Sequence, residues 1–213
     1  MSFTTFLVDD DPGILKALAR LVRTAGYESR CYSSSQEFLR DHDPSIPGCA
    51  ILDLRMPELD GLELQQRLAA AGVERPIIFL TGDGNIPASV QAMKAGAVDF
   101  LTKPLRREVL LSALSRAEER DSKERQMRAE RQSFEAKLAR LTKREREVLG
   151  HVIAGRLNKQ IAAALGTGEK TIKVHRGRMM AKVEVKSVAE LVRLAERASI
   201  EAAVSTSHGR VGP

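Results

Sequence analysis

Residues 6–26, F-L-V-D-D-D-P-G-I-L-K-A-L-A-R-L-V-R-T-A-G, hold one complete strand-to-helix unit. Phe6–Val8 is a short apolar run of strand type. Asp11 followed by Pro12 reads as an N-cap with proline at the first helical position. Ile14, Leu15, Leu18, Leu21, Val22 and Ala25 then recur at the spacing of one helix face, and Gly26 closes the helix. Outward from this unit the grammar repeats. Apolar runs fall at Ser29–Tyr32, Cys49–Leu54, Ile77–Leu80 and Val98–Leu101, with helical patterns between them. Ser34 with Glu37 reads as a capping box for the second helix. Five strands alternating with helices imply an α/β fold, a doubly wound five-stranded parallel sheet covered on both faces. In such sheets the ligand crevice lies at the carboxyl ends of the strands.

The chain has 213 residues and a net charge of +6. That figure hides an asymmetry: residues 1–115 carry 12 basic and 15 acidic side chains, net −3, and residues 116–213 carry 22 and 13, net +9. An acidic half joined to a basic half implies two functions in one chain, the second near a polyanion. No apolar run is long enough to span a membrane, and Met1–Val8 has neither the basic nor the long apolar region of a secretory signal. Cys31 and Cys49 have no metal-spaced partners and sit in strand-like runs, so both are expected to be buried thiols of a cytoplasmic protein.

Beyond Leu105 the strand pattern stops. Seven of eight prolines lie at or before Pro104, and the eighth is the terminal Pro213. Residues 116–137 are mostly charged, with a sparse apolar seam of Met127, Phe134, Leu138 and Leu141. They read as a solvated linker helix, or alternatively as a short coiled coil pairing two protomers, which Glu124 and Arg131 on the second seam weaken. Four compact helices follow. Thr142 with Glu145 is a capping box and Gly155 ends that helix. Asn158 is expected to cap a short helix, Lys159–Leu165, ended by Gly166. A helix runs from Glu169 to about Lys182, and Ser187 with Glu190 opens the last one, to about Arg197. The expected division is therefore 1–118 for the sheet domain, 119–137 for the linker, 138–200 for an all-α four-helix domain and 201–213 for a tail.

The acidic half carries its chemistry at strand ends. Asp9, Asp10 and Asp11 follow the first strand, Asp53 ends the third, Thr81 ends the fourth and Lys103 follows the fifth. Singly these are ordinary residues: Asp11 is a cap, Asp60 before Gly61 a turn or cap, Thr81 a strand-end hydroxyl and Lys103 a surface lysine. Jointly, a doubly wound sheet brings them to one place. Carboxylates held together gain proton affinity unless a cation sits among them, and a hard divalent ion with oxygen ligands, Mg²⁺ in a cell, suits Asp9, Asp10 and Asp53. Asp53 would then take a phosphoryl group as an acyl phosphate. Lys103 would offset charge on the transferring oxygens, and the Thr81 hydroxyl would hydrogen-bond the bound group. Asp83, two residues after Thr81, is expected to influence the lifetime of that acyl phosphate.

The runs L-V-D-D-D, I-L-D-L-R-M-P-E-L-D-G, F-L-T-G and D-F-L-T-K-P resemble, in order and spacing, the receiver domain of two-component response regulators, over residues 3 to about 118. G-N-I-P-A-S-V-Q-A-M-K-A-G-A-V-D-F-L looks closest to FixJ- and StyR-like members. The resemblance implies that Asp53 is phosphorylated by a partner histidine kinase, and that Asp9 and Asp10 hold Mg²⁺ with help from the backbone carbonyl of Arg55. It also implies that Thr81 is the switch hydroxyl, that Lys103 binds the phosphoryl group before a cis bond to Pro104, and that Phe100 is the aromatic that rotates inward. Phe100 is equally a half-buried strand residue.

The basic half holds 14 basic against 6 acidic residues over 138–198. Asn158–Leu165, the tight G-T-G and Glu169–Lys182 suggest a helix-turn-helix, whose second helix presents Lys170, Thr171, Lys173, Val174, Arg176 and Arg178 to a major groove. A solvated basic face would carry the same charge. L-T-K-R-E-R-E-V-L, N-K-Q-I-A-A-A-L-G, K-T-I-K-V-H and S-V-A-E-L-V resemble the LuxR/NarL-type DNA-binding domain. The resemblance implies base contacts at Lys173 and Val174, and phosphate-contacting or cap positions at Asn158, Lys159 and Thr171. Gly177 stands where relatives often carry a larger polar or basic residue, Gly168 replaces a serine N-cap, and Thr167 replaces an apolar residue. These departures bear on the target sequence.

The expectation is a response regulator, not an enzyme beyond slow loss of its own phosphoryl group. Phosphorylation would move Thr81 and Phe100, change the surface around Ser89–Lys94 and Val98–Leu101, and favour a homodimer on double-stranded promoter DNA, with RNA polymerase as a further partner and no membrane. One rival is a phosphotransfer or protein-interaction module whose C-terminal helices bind protein. Another is an aspartyl-phosphate hydrolase, against which Arg55 stands where a second catalytic acid is needed.

Overall fold

The computed structural model describes residues 2–82, 86–198 and 200. The chain forms two compact units, residues 1–126 and 127–213. The first contains β1 (Thr4–Val8), α1 (Pro12–Thr24), β2 (Glu28–Tyr32), α2 (Ser35–Asp41), β3 (Gly48–Asp53), α3 (Gly61–Ala70), β4 (Ile77–Thr81), α4 (Ile86–Lys94) and β5 (Asp99–Thr102). A long helix, α5 (Arg107–Ala139), begins in it, and the division between the units falls inside that helix.

The sheet is parallel with order β2-β1-β3-β4-β5. Alternation along the strands assigns its two faces. Phe6, Val8, Leu52 and Phe79 pack with Phe38, Leu64 and Ala92 of α2, α3 and α4. Leu7, Ile51, Ile78 and Leu80 pack with Leu18 and Val22 of α1 and Leu110 and Leu114 of α5. The strand order reverses between β1 and β3, so the crevice at their carboxyl ends opens beside Asp9 and Asp53.

Local signals explain most boundaries. The Asp11 carboxylate accepts from Gly13 N at 2.7 Å and Ile14 N at 3.2 Å, with Pro12 at the start of α1 and Gly26 left-handed (φ 89°) beyond its end. Asp60 and Glu63 form a full capping box on α3. Gly61 lies so close to the end of β3 that a β-carbon would stand 2.4 Å from the Asp53 carbonyl oxygen, so only glycine lets α3 start there.

Four local expectations are corrected, the last at Asn158 in the second unit. Ser34 accepts from Glu37 N, but the Glu37 carboxylate takes the amide and hydroxyl of Ser33 instead of closing the box on Ser34. Ser187 and Glu190 behave alike, the Glu190 carboxylate accepting from Lys186 N. Cys31 is exposed and only Cys49 is buried, because β2 lies at the sheet edge whereas β3, which carries Cys49, is central.

The charged stretch is helical because its side chains pair along one helix. Arg120 with Glu124, Lys123 with Glu119 and Arg131 with Glu135 are i,i+4 pairs, each worth a few tenths of a kcal/mol. Asp121 is the buried exception. It accepts from Gly48 N at 3.3 Å and Arg125 Nε at 2.8 Å, and the Arg125 guanidinium donates to the carbonyls of Pro44, Ser45 and Ile46.

The second unit packs the end of α5 with α6 (Lys143–Ile153), α7 (Asn158–Ala164), α8 (Glu169–Val183) and α9 (Val188–Arg197). Its core includes Phe134, Val148, Val152, Ile161, Ile172, Met179 and Leu191. Of the expected apolar seam, Phe134 is 2% exposed, Leu141 is buried and Leu138 packs beside them, while Met127 is exposed. The seam residues from Phe134 onward are thus core of this unit. The Thr142–Glu145 box is complete. Asn158 is the first residue of α7 and not its cap: Leu157 takes the cap position, its amide donating to Gln160 Oε1 at 2.8 Å.

Candidate functional site

β1, β3, β4 and β5 deliver Asp9, Asp53, Thr81 and Lys103 to one end of the sheet. Asp9 and Asp53 are 2% and 7% exposed. The Lys103 ammonium bridges them, donating to Asp9 Oδ2 at 2.9 Å and Asp53 Oδ1 at 2.7 Å. The remaining oxygens accept backbone amides, Asp9 Oδ1 from Asp11 and Asp53 Oδ2 from Arg55, at 2.9 and 2.8 Å. Two carboxylates are therefore oriented by their own strand-end turns and neutralised in part by one cation. Burial raises the Asp9 pKa above its usual value, though Lys103 and the Asp11 amide oppose it. Burial pulls the Lys103 pKa down, but its hydrogen bonds to Asp53 and Asp9 prevail and leave it raised.

The Lys103 amide donates to the Thr81 carbonyl at 2.7 Å and Thr81 is buried, so both follow the β4–β5 pairing. The Lys103–Pro104 bond is cis. Phe100 is half-buried, its ring 6.1 Å from that of Phe79. A cavity of about 160 Å³ lies beside it, lined also by Pro104, Leu105 and Val109. Asp10 is exposed at the rim. Asp83 lies outside the described residues.

Among the described residues no three His, Cys, Asp or Glu side chains come together as a metal-holding group. The donor set is nonetheless all oxygen, and two buried carboxylates share one ammonium. That excess negative charge with an exposed third acid suits a hard divalent ion that keeps much of its water, as Mg²⁺ does.

In the second unit the turn between α7 and α8 is tight. Gly166 is left-handed (φ 62°), Thr167 N returns to the Ala162 carbonyl at 3.0 Å, and Gly168 caps α8. Ile172, Met179 and Val183 bury one side of α8, leaving Lys170, Thr171, Lys173, Val174, Gly177 and Arg178 exposed, as is Lys159 on α7. A β-carbon at Gly177 would meet nothing within 4 Å, so this face has an open notch there. Charge is distributed unevenly. Arg144 pairs with Glu147, Lys182 with Glu145, Lys137 and Arg140 with Glu184, and Arg197 with Glu130. Lys159, Lys170, Lys173, Arg176 and Arg178 have no ion pair among the described residues, which leaves a row of uncompensated cations across α7 and α8.

Sequence reading missed two side-chain clusters. Arg176 Nη1 donates to Asn158 Oδ1 at 2.9 Å, joining α8 to the start of α7. In the first unit, buried Arg75 donates to His42 Nε2 at 2.6 Å and stacks 4.3 Å over the Phe6 ring. Neither has a local signature, since the partners are 18 and 33 residues apart.

Comparison with known proteins agrees with both halves. Residues 5–115 match the response regulator receiver domain model, and residues 139–195 match the model for bacterial regulatory proteins of the luxR family. The response regulator protein TmoT of Ectopseudomonas mendocina is 46% identical over 192 residues, covering 90% of this chain and 87% of that protein. The transcriptional regulatory protein FixJ of Rhizobium meliloti is 38% identical over 193 residues, covering 91% and 95%. The solved structure of the response regulator StyR superposes with a TM-score of 0.78 at 42% identity, covering 92% of this chain and all of that one. Full-length FixJ from B. japonicum gives 0.56 at 38% identity, covering 93% and 98%. With a receiver fold that gathers two acids around a lysine and a helix-turn-helix that carries unpaired cations, the chain belongs to the NarL/FixJ family of two-component response regulators.

Proposed function

We propose that Asp53 accepts a phosphoryl group from the phosphohistidine of a partner kinase, and that this controls DNA binding and transcription through α8. The observation that carries the first half is the buried Asp9–Lys103–Asp53 bridge at the sheet's carboxyl edge. An Asp53 carboxylate oxygen forms the new P–O bond as the P–N bond breaks, and the imidazole leaves. The Arg55 amide keeps the carboxylate aimed, and Lys103 turns from its carboxylate partners to the incoming oxygens. Asp9, Asp10, Asp53 and the Arg55 carbonyl would hold Mg²⁺, which when bound offsets charge on the transferring phosphoryl oxygens. Thr81 then donates its hydroxyl to the phosphoryl group, and Phe100 moves toward the space this vacates. The surface of α4 and β5 changes with them and favours a homodimer. Ile86, Val90 and Met93 form an exposed apolar stripe on α4, which suits that role.

The row of unpaired cations carries the second half. A dimer would set α8 in two major grooves about one helical turn apart, in the cytoplasm, near enough to RNA polymerase to act on it. No helix among the described residues is long and apolar enough to cross a membrane. Mass spectrometry after exposure to a small phosphoryl donor, with and without Mg²⁺, tests the reading. Label should appear in wild type and not in Asp53→Asn. A gel shift on a duplex selected from a random pool should strengthen on labelling. Label retained by Asp53→Asn at the native rate, or equal DNA affinity of the two forms, would overturn it.

A further inference from the structure

We infer that Arg176 grips a backbone phosphate and does not read bases, and that Asn158 is the positioning residue that aims it. The inference rests on the DNA-binding reading of α8 and assigns a role within it. At about 100° per residue, Ile172, Met179 and Val183 mark the buried side of α8. Lys170, Val174 and Gly177 fall roughly 140–160° round from that side and form its outer face. Arg176 falls only about 40° from it, on the flank toward α7, and is half-buried where the outer-face residues are exposed.

Its partner makes the assignment specific. Arg176 Nη1 donates to the amide oxygen of Asn158 at 2.9 Å. A guanidinium has five N–H donors in a rigid fork. A neutral amide holds that fork in place without cancelling its charge, and no carboxylate pairs with Arg176 among the described residues. Lys159, the next residue on α7, is exposed and likewise without an ion pair. In a helix-turn-helix the helix before the recognition helix crosses the sugar–phosphate backbone. A cation pinned at the start of α7 lies where that backbone passes, while the outer face of α8 occupies the groove. Planar guanidinium and phosphate match in a two-pronged hydrogen bond. Affinity from this pair is blind to sequence, whereas Lys170, Lys173 and Val174 face the bases.

The test uses the full-length chain, a duplex selected from a randomised pool by wild type, and a shuffled duplex of the same composition, titrated over a range of salt. Arg176→Ala should weaken both duplexes by the same factor, about eightfold at 0.1 M salt, and lower the slope of log affinity against log salt by about 0.9. Arg176→Lys keeps the charge, so its slope should stay near wild type while affinity falls for both duplexes alike. Asn158→Ala should weaken both duplexes equally, and should add nothing once Arg176 is already Ala. A changed ratio between the two duplexes in Arg176→Ala would overturn the inference, as would losses in the two single variants that simply add. Absence of salt-dependent binding by wild type would instead defeat the DNA-binding reading itself.

Discussion

The Lys103 ammonium lies 2.7 Å from Asp53 Oδ1, so the nucleophile proposed for phosphoryl transfer is already held by the cation proposed to receive the transferred charge. Lys103→Met removes that donor and leaves Asp9 and Asp53 facing each other. Loss of one preorganised donor to a developing oxyanion costs about a hundredfold or more in rate. The initial rate of Asp53 labelling by a small phosphoryl donor should fall by about that factor in Lys103→Met.

Phe134 belongs to the highly charged helix by sequence and to the core of the second unit by packing. Phe134→Ala should therefore destabilise that unit by about 3–5 kcal/mol, as large-to-small core changes do. A fragment beginning at residue 127 should melt well above one beginning at 138. Equal melting of the two would show that the end of α5 contributes nothing.

Glu145 accepts from Lys182 Nζ at 2.7 Å and from the Thr142 amide at 2.8 Å. The Lys182 hydrogen bond, then the Thr142 amide, hold its pKa down to about 2, against an ordinary 4.5. The unfolded chain thus binds a proton that the folded one refuses. This stabilisation is present above pH 4.5 and is lost as pH falls from there toward 2. Denaturant melts of the second unit should show that slope in wild type and a shallower one in Glu145→Gln.

His42 has the same sign at higher pH. Burial, then the Arg75 charge, push its pKa down to about 4 from 6.5. The unfolded chain takes up a proton first, so stability of the receiver unit is full above pH 6.5 and declines as pH falls toward 4. His42→Gln does not titrate and should flatten that decline, measured as the difference in unfolding free energy between pH 7 and pH 5.

Lys173 and Arg144 carry the same charge with opposite consequences. Lys173→Ala should weaken binding to the selected duplex by about 1–3 kcal/mol and relax its sequence preference, with no change in melting. Arg144 is tied to Glu147 and to the Leu165 carbonyl at 2.7 Å. Arg144→Ala should lower the melting temperature, and leave the preference between selected and shuffled duplexes as it was.

How far the chain could be read in advance follows from the range of each signal. Asp11 with Pro12, Thr142 with Glu145 and the apolar run Phe6–Val8 act within one turn or one strand, and they placed their elements correctly. The half-boxes at Glu37 and Glu190 were misread because a flexible carboxylate can take the amide one residue earlier, which spacing does not resolve. Cys31 was misread because an apolar run does not say whether its strand is central or at the edge.

Local periodicity, caps and charge were enough by themselves to determine a five-stranded α/β half, a helical basic half and four strand ends carrying Asp9, Asp53, Thr81 and Lys103. Folding alone decided that the Lys103 ammonium bonds Asp9 and Asp53 directly, across 94 and 50 residues, that Arg176 leans on Asn158, and that Phe134 of the charged helix packs into a core. Spacing along a chain specifies which way a side chain points. Which other side chain it meets depends on how distant elements pack, and no short stretch of sequence records that.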